Sequence, residues 1–366
     1  MKLSCNREKF SQAFQLAASV TATRDTKPVL QNVKITATQE QVLLQATDTE
    51  IGIRLEVEGS EVLEPGEAIL PTRRFKMILQ ESADETLSIE TDGEKAIVSG
   101  ERSRFNLSTQ AADDFPEVDA FAETEYYVVS GKMFREMIKR TIFATDEENT
   151  RYTLGGTLIE FGGTSVAAVA TDGRRLAFQE GAPQSVVGDA PASSAIFPPK
   201  SLHLIERSVG EGTEEVKVAV SATRAIMQCN RAMVFTRLIE GKFPNWRKII
   251  PTTDGKSHVD LSAGALLTAV RQAAIVASEK QPGVRFELGQ GKLELFAQGA
   301  EIGDSRIELP VAFDGEACSL RLDPRFVIDF LRVLESEKNV TMFVAPDQPA
   351  FFRTDDGYSY VVMPLS

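Results

Sequence analysis

The feature that most constrains this chain is that it repeats itself. An apolar run ends in Ala-Thr-Asp twice, at Ala46-Thr47-Asp48 and at Ala170-Thr171-Asp172, and a strand-like run follows each (Ile51 to Val57; Leu176 to Phe178). One recurring tripeptide means little, so other landmarks must recur at a similar offset for a repeat to be read. They do. Asn6, Ser130 and Ser262 are helix N-cap types, each followed four positions later by the first large apolar residue of a helical stripe. The stripes run Phe10, Ala13, Phe14, Ala17; then Phe134, Met137, Ile138, Ile142; then Leu266, Ala269, Val270, Ala273. The anchors Phe10, Phe134 and Leu266 lie 124 and 132 residues apart. A second helix set begins at Thr72, at Pro198-Pro199 and at Asp323-Pro324, with Phe75, Leu202 and Phe326 in the matching place at intervals of 127 and 124 residues. One third of 366 residues is 122, so three such units fill the chain.

Between the helices, alternating runs predict half-buried strands: Ile53, Leu55, Val57; Val216, Val218, Val220; and Phe286, Leu288 with Leu293, Leu295. Turn signals at Asp92-Gly93 and Gly289-Gln290-Gly291 predict antiparallel hairpins. The fold class is therefore α+β: three tandem similar domains, each two helices plus an antiparallel sheet. Breaks near Ala120 to Glu125 and Pro251 to Ser257 place the domains at 1–122, 123–251 and 252–366.

Composition excludes several classes. Cys5, Cys229 and Cys318 stand far apart among apolar neighbours, which predicts buried thiols in a reducing compartment and no disulfide or zinc framework. The N-terminus has no basic-then-apolar profile, and no apolar run approaches the ~20 residues that span a bilayer; a soluble, cytoplasmic protein is expected. Two histidines, His203 and His258, supply little general-base chemistry. No phosphate-loop, dinucleotide or zinc-protease motif occurs, and Gly289-Gln290-Gly291-Lys292 lies between alternating strands, as a hairpin turn does. A hydrolase or transferase built on Asp48, Asp146 or Asp172, and a monomeric peptide-binding scaffold, are the alternatives from other classes. Asp172-Gly173 alone is a turn signal, and Arg73 and Arg74 alone are exposed helix-start arginines.

A net charge of −13 argues at first against nucleic acid as a partner. Its distribution argues otherwise. The six predicted helices (residues 7–18, 72–81, 131–142, 200–207, 264–280 and 323–335) carry +1, +2, +3, +1, +1 and −1, a net +7, leaving −20 for the remainder. A solvated helix face produces part of such a partition; a cationic bore inside an anionic shell accounts for all of it. Three similar units pair their sheet edges most economically in an arc, and a two-fold dimer closes the arc. Twelve helices packed at ~10 Å each then trace a circle of ~120 Å, ~28 Å clear inside, enough for a duplex.

Several segments together resemble the bacterial sliding clamp family, the beta subunit of DNA polymerase III. They are Lys27-Pro28-Val29-Leu30-Gln31-Asn32, Ser103-Arg104-Phe105-Asn106-Leu107-Ser108-Thr109 continuing to Asp114-Phe115-Pro116, Ala170 to Leu176, Gly241-Lys242-Phe243-Pro244-Asn245-Trp246, and Tyr360-Val361-Val362-Met363-Pro364. The resemblance runs the full length and implies a ring-shaped head-to-tail homodimer, the DNA clamp fold, without catalytic site, metal or cofactor. It implies a partner-peptide groove formed by Leu154, Thr171, Gly173, Arg174, Arg175, Leu176, Pro244, Lys248 and Ile249, completed by Phe326, Ala350, Val361, Met363, Pro364 and Leu365. For DNA it points to Arg24, Arg73, Tyr152 and Lys200; for the dimer interface it packs Phe105 and Leu107 against Ile275 and Val276 of the second subunit. The chain ends Pro364-Leu365-Ser366 where the family often ends Pro-Met-Arg-Leu, and Lys248 stands where an arginine is frequent. Glu148, Thr153 and Pro199 likewise replace residues that contact DNA in relatives. The implied partners are duplex DNA without sequence preference, the replicative polymerase alpha subunit, the clamp-loader delta subunit, repair polymerases and ligase, the proteins through short linear motifs. The implied location is the cytoplasm, at the nucleoid.

Overall fold

A computed structural model describes residues 1–22, 27–92, 95–110, 112–148, 152–253, 257–277, 283–299, 303–313, 315–345 and 348–365. It divides into two compact units. The first comprises Met1–Arg135, Pro183–Ser193 and Lys200–Leu238; the second comprises Glu136–Ala182, Ser194–Pro199 and Ile239–Ser366.

Six α-helices occur among the described residues: α1 (Arg7–Ala18), α2 (Thr72–Glu81), α3 (Gly131–Thr141), α4 (Pro199–Ser208), α5 (Ala263–Ala274) and α6 (Pro324–Arg332). Two fall in each predicted repeat. The Asn6 side chain caps α1, accepting the Lys9 amide at 3.0 Å, and the Ser130 hydroxyl accepts the Met133 amide of α3 at 3.5 Å. Ser262 departs from the expectation. Its side chain makes no cap bond, and its hydroxyl instead donates to the Ser336 carbonyl at 2.9 Å.

The stripes bury as their spacing dictates. Phe10, Phe14 and Ala17 of α1, Phe134, Met137 and Ile138 of α3, and Leu266, Val270 and Ala273 of α5 are fully enclosed, while Ala13 and Ile142 are half-buried. Phe75 of α2 meets Phe10 and Phe14 edge to face, with ring centres 5.9 and 4.8 Å apart. The third member of the second helix set is one residue out of phase. Asp323 lies outside α6 as its cap, accepting the Arg325 amide at 3.0 Å, so the buried place three residues into the helix falls to Val327, as it falls to Phe75 in α2 and Leu202 in α4. Phe326 is left half-buried.

In the first unit, a nine-stranded sheet runs Ser185–Val187, Tyr126–Ser130, Glu215–Val220, Arg224–Cys229, Ala232–Arg237, Ile51–Glu56, Val42–Thr47, Asn32–Ala37, Gly66–Pro71. A five-stranded sheet runs Ser60–Glu64, Lys2–Asn6, Thr86–Asp92, Lys95–Ser99, Arg104–Ser108. The second unit has an eight-stranded sheet, Ser193–Phe197, Thr157–Phe161, Val166–Thr171, Arg175–Gly181, Tyr358–Val362, Ala350–Arg353, Asn339–Val344, Ser257–Ser262. Its four-stranded sheet runs Gly303–Pro310, Lys292–Gly299, Val284–Gly289, Cys318–Leu322.

The two large sheets cross the repeat boundaries. Ala232–Arg237 pairs antiparallel with Ile51–Glu56, and Arg175–Gly181 with Tyr358–Val362, which is the edge-to-edge joining the repeat predicts. Both signalled hairpins form. Gly289 pairs with Lys292 across Gln290-Gly291, with Gly291 at φ +74°, and Asp92 pairs with Lys95 across a turn that lies outside the described residues.

Candidate functional site

The loop that leads into the predicted groove is built by its own side chains. The Thr171 hydroxyl donates to the Arg175 carbonyl (2.6 Å) and accepts the Gly173 amide (3.0 Å), while Asp172 Oδ1 accepts the amides of Arg174 (2.9 Å) and Arg175 (3.0 Å). These bonds turn the chain through a left-handed residue, Gly173 at φ +88°, where glycine carries no steric cost. In the first unit Thr47 and Asp48 make the same four bonds, to Ile51 (2.8 Å), Thr49 (3.0 Å), Glu50 (3.1 Å) and Ile51 (2.8 Å), with Thr49 at φ +74°. The sequence repeat is thus a repeat of hydrogen bonds. In both copies the aspartate holds two backbone amides with one oxygen and a cation with the other, Lys200 at Asp48 and Arg175 at Asp172.

Arg175 pins this loop. Its Nε meets Asp172 Oδ2 (3.0 Å), Nη1 meets Asp329 Oδ2 on α6 (2.7 Å), and Nη2 donates to the Phe143 carbonyl (2.7 Å). The guanidinium lies over the rings of Phe326 (4.6 Å) and Phe143 (5.5 Å). That contact is where the half-buried Phe326 finds its role. Asp329 and Phe143 escaped sequence reasoning, because pairings 154 and 32 residues away leave no local signal.

Below the loop lies an apolar floor. Leu176 and Val361 are a cross-strand pair, each 1 % exposed, and they cluster with Leu154, Phe243 and Trp246. Alternate residues of the same strands, Ala177, Tyr360 and Val362, enter the opposite core with Phe330 and Phe352. Ala350 goes with them, fully buried, and so stands apart from the other predicted groove residues. Pro244, Pro364 and Leu365 are half-buried, whereas Gly173, Arg174, Lys248, Ile249 and Met363 are exposed. Ile249 at 40 % and Met363 at 43 % are large apolar side chains left open to water. The tail is tied down: the Met363 amide donates to the Arg174 carbonyl and the Leu365 amide to the Arg321 carbonyl, both at 2.8 Å. A polar cleft of about 490 Å³ adjoins, lined by Phe143, Thr145, Asp172, Arg174, Arg325 and Asp329 among others.

The predicted DNA contacts are spread over both units. Arg73 is exposed on the first turn of α2 in the first unit. Lys200, exposed on the first turn of α4 in the same unit, is paired with Asp48. Tyr152 begins a short 3-10 turn of the second unit, and its side chain, like all of Arg24, lies outside the described residues. The helices as observed carry +1, +2, +3, +1, +1 and +1, a net +9 against −22 elsewhere, a sharper partition than the sequence boundaries gave. Two of these cations are structural. Arg140 is buried against Gln179 (2.7 Å) and Asp356 (3.0 Å), and Arg7 donates to the carbonyls of Asp84 (2.9 Å) and Leu79 (3.2 Å).

The predicted interface residues stand on outer elements. Phe105, 37 % exposed, and half-buried Leu107 lie on Arg104–Ser108, the edge strand of the five-stranded sheet. Ile275, 76 % exposed, and half-buried Val276 directly follow α5, which packs on the edge strand Gly303–Pro310 through Ser305 Oγ donating to the Ala273 carbonyl (2.9 Å). Among the described residues no helix is long and apolar enough to cross a membrane.

Comparison with known proteins agrees along the whole chain. The family descriptions "DNA polymerase III beta subunit" match in three parts: N-terminal domain at residues 1–119, central domain at 128–245 and C-terminal domain at 247–366. The beta sliding clamp of Pseudomonas putida is 30% identical over 369 residues, covering 100% of both chains, and that of Escherichia coli is 28% identical over 372 residues with the same coverage. A solved sliding clamp from Pseudomonas aeruginosa superposes with a TM-score of 0.92 at 29% identity, covering 100% of this chain and 99% of that one. The Bacillus subtilis clamp shares the fold, with a TM-score of 0.90 at 22% identity over 100% of this chain and 99% of that one. Three family domains in order, full-length identity and a shared fold lead to one conclusion: the chain belongs to the DNA polymerase III beta subunit family, the bacterial beta sliding clamps.

Proposed function

We propose that two copies of this chain close head to tail into a ring around duplex DNA and hold the replicative polymerase there. As a beta sliding clamp the chain is a non-catalytic processivity factor for DNA polymerase III. The observation that carries the reading is in the second unit: the backbones of exposed Met363 and Ile249 are tied to Arg174 and to Trp246 of the cluster that holds the Leu176–Val361 pair, and Arg174 and Lys248 are exposed cations. An apolar floor with a polar rim suits a short segment with aliphatic or aromatic anchors. The replicative polymerase alpha subunit, the clamp-loader delta subunit, repair polymerases and ligase then compete for one groove per subunit.

Exposed Phe105 with half-buried Leu107 on one sheet edge, and exposed Ile275 with half-buried Val276 beside another, support closure between the first domain of one subunit and the third of the next. Exposed helix cations such as Arg73, Arg74 and Lys132 support weak, sequence-independent phosphate contact, which suffices when retention is topological. The test is retention on nicked circular DNA after loading by a cognate loader with ATP. Release on a single restriction cut is expected, and equal retention on circle and linear product would overturn the reading.

A further inference from the structure

The two copies of the Thr-Asp loop differ in the fate of one oxygen. In the second unit Asp172 Oδ2 is satisfied within its own loop, by Arg175 Nε at 3.0 Å. At the same step of the first copy stands Ile51, 4 % exposed and without a side-chain donor. Asp48 Oδ2 is therefore open to another cation, and the one it holds is Lys200 Nζ, from the first turn of α4. The carboxylate is the fixed partner, since its Oδ1 accepts the Glu50 and Ile51 amides and its side chain is only 17 % exposed. The lysine is the movable one, with a side chain 51 % exposed on a flexible stem.

We infer that Asp48 is a built-in competitor for phosphate at Lys200, a positioning residue that weakens one DNA contact of the clamp. This rests on the reading of Lys200 as a DNA-facing residue. A phosphate can engage Lys200 only by displacing a carboxylate that is already oriented and anchored. The lysine thus contributes less than a free cation would to affinity, and fewer counterions are released when DNA binds. Such self-neutralisation suits a protein that must touch the backbone without gripping it. The isosteric change Asp48→Asn keeps the Oδ1 acceptor for both amides, removes the charge, and puts an NH2 donor in place of the oxygen that holds Lys200.

The experiment is binding of the full-length protein to a labelled duplex, followed by fluorescence anisotropy across a salt series, for the parent, Asp48→Asn, Lys200→Gln and the double variant. Asp48→Asn is expected to tighten binding about two- to fivefold at low salt, and to steepen the slope of log affinity against log salt by up to ~0.9. Lys200→Gln should weaken binding, and the double variant should match Lys200→Gln alone. A gain that persists in the double variant would be a general charge effect and would overturn the inference. So would an unchanged Asp48→Asn beside a weakened Lys200→Gln, although Lys200 would then stand as a contact. If Lys200→Gln is silent while Arg73→Gln weakens binding, the placement of Lys200 fails and the inference falls with it.

Discussion

Leu176 and Val361 face each other across the pairing of Arg175–Gly181 with Tyr358–Val362, one side chain from the central family domain and one from the C-terminal domain. Neither domain owns the floor of the proposed groove. Leu176→Ala leaves a void in that shared cluster and is expected to cost about 2–5 kcal/mol. It should therefore lower the thermal midpoint and peptide affinity together; an unchanged midpoint by calorimetry would show that Leu176 does not pack as described.

In the proposed groove the tail is wall rather than framework. Removing the chain from Met363 onward deletes an exposed apolar side chain and two backbone bonds at the end of a strand. The protein should keep its sedimentation behaviour and far-ultraviolet spectrum while losing binding of polymerase-derived motif peptides. Unchanged anisotropy with such peptides would place the groove elsewhere.

Arg175 joins Asp172, Asp329 and the Phe143 carbonyl through one planar group. Arg175→Met leaves two part-buried carboxylates without their cation and should destabilise by about 3–5 kcal/mol. Arg175→Lys keeps the charge but cannot span the three partners at once, so it should restore only part of the loss. Equal midpoints for the lysine variant and the parent in urea melts would contradict the pinning role.

Asp356 gives a pH dependence with a definite sign. Burial pushes its carboxyl upward, but the Thr354 hydroxyl, Lys338 and Arg140 outweigh that and bring it from the ordinary 3.8 to about 2. A carboxyl lowered in the folded state stabilises above its unfolded value, and that contribution fades as pH falls from about 4 to about 2. Asp356→Asn should therefore melt below the parent at neutral pH, with the gap closing across that interval. A gap that stays constant down to pH 2 would sink the assignment.

Burial pushes the thiols of Cys5 and Cys229 up to about 12, and the Cys5 thiol donates to the Leu87 carbonyl. Little thiolate exists at pH 8, and neither sulfur is accessible. In the folded protein both should resist iodoacetamide, and denaturant should release them; rapid alkylation of native Cys5 or Cys229 would show local opening.

The helices and their phase were legible in the sequence because burial of one face writes a periodic stripe, as Phe134, Met137 and Ile138 show. The edge-to-edge sheets followed from counting repeats. What the sequence could not express were relations between distant residues. The pairing of Arg175 with Asp329, on another repeat, and that of Lys200 with Asp48, 152 positions away, left no mark in the sequence. Ala350 read as groove wall because a strand's two faces differ only by register, which sequence similarity does not mark. Phe326 misled by one step, through Asp323 being taken as the first helical residue rather than its cap.

The sheets that cross the repeat boundaries set the unit of inheritance out of step with the unit of folding. A central domain cut out at residues 128–245 would carry bare strand edges at Ala232–Arg237 and Arg175–Gly181, both stripped of the partners that cover them. Such a solitary copy would present sticky margins on both flanks unless neighbouring copies covered them.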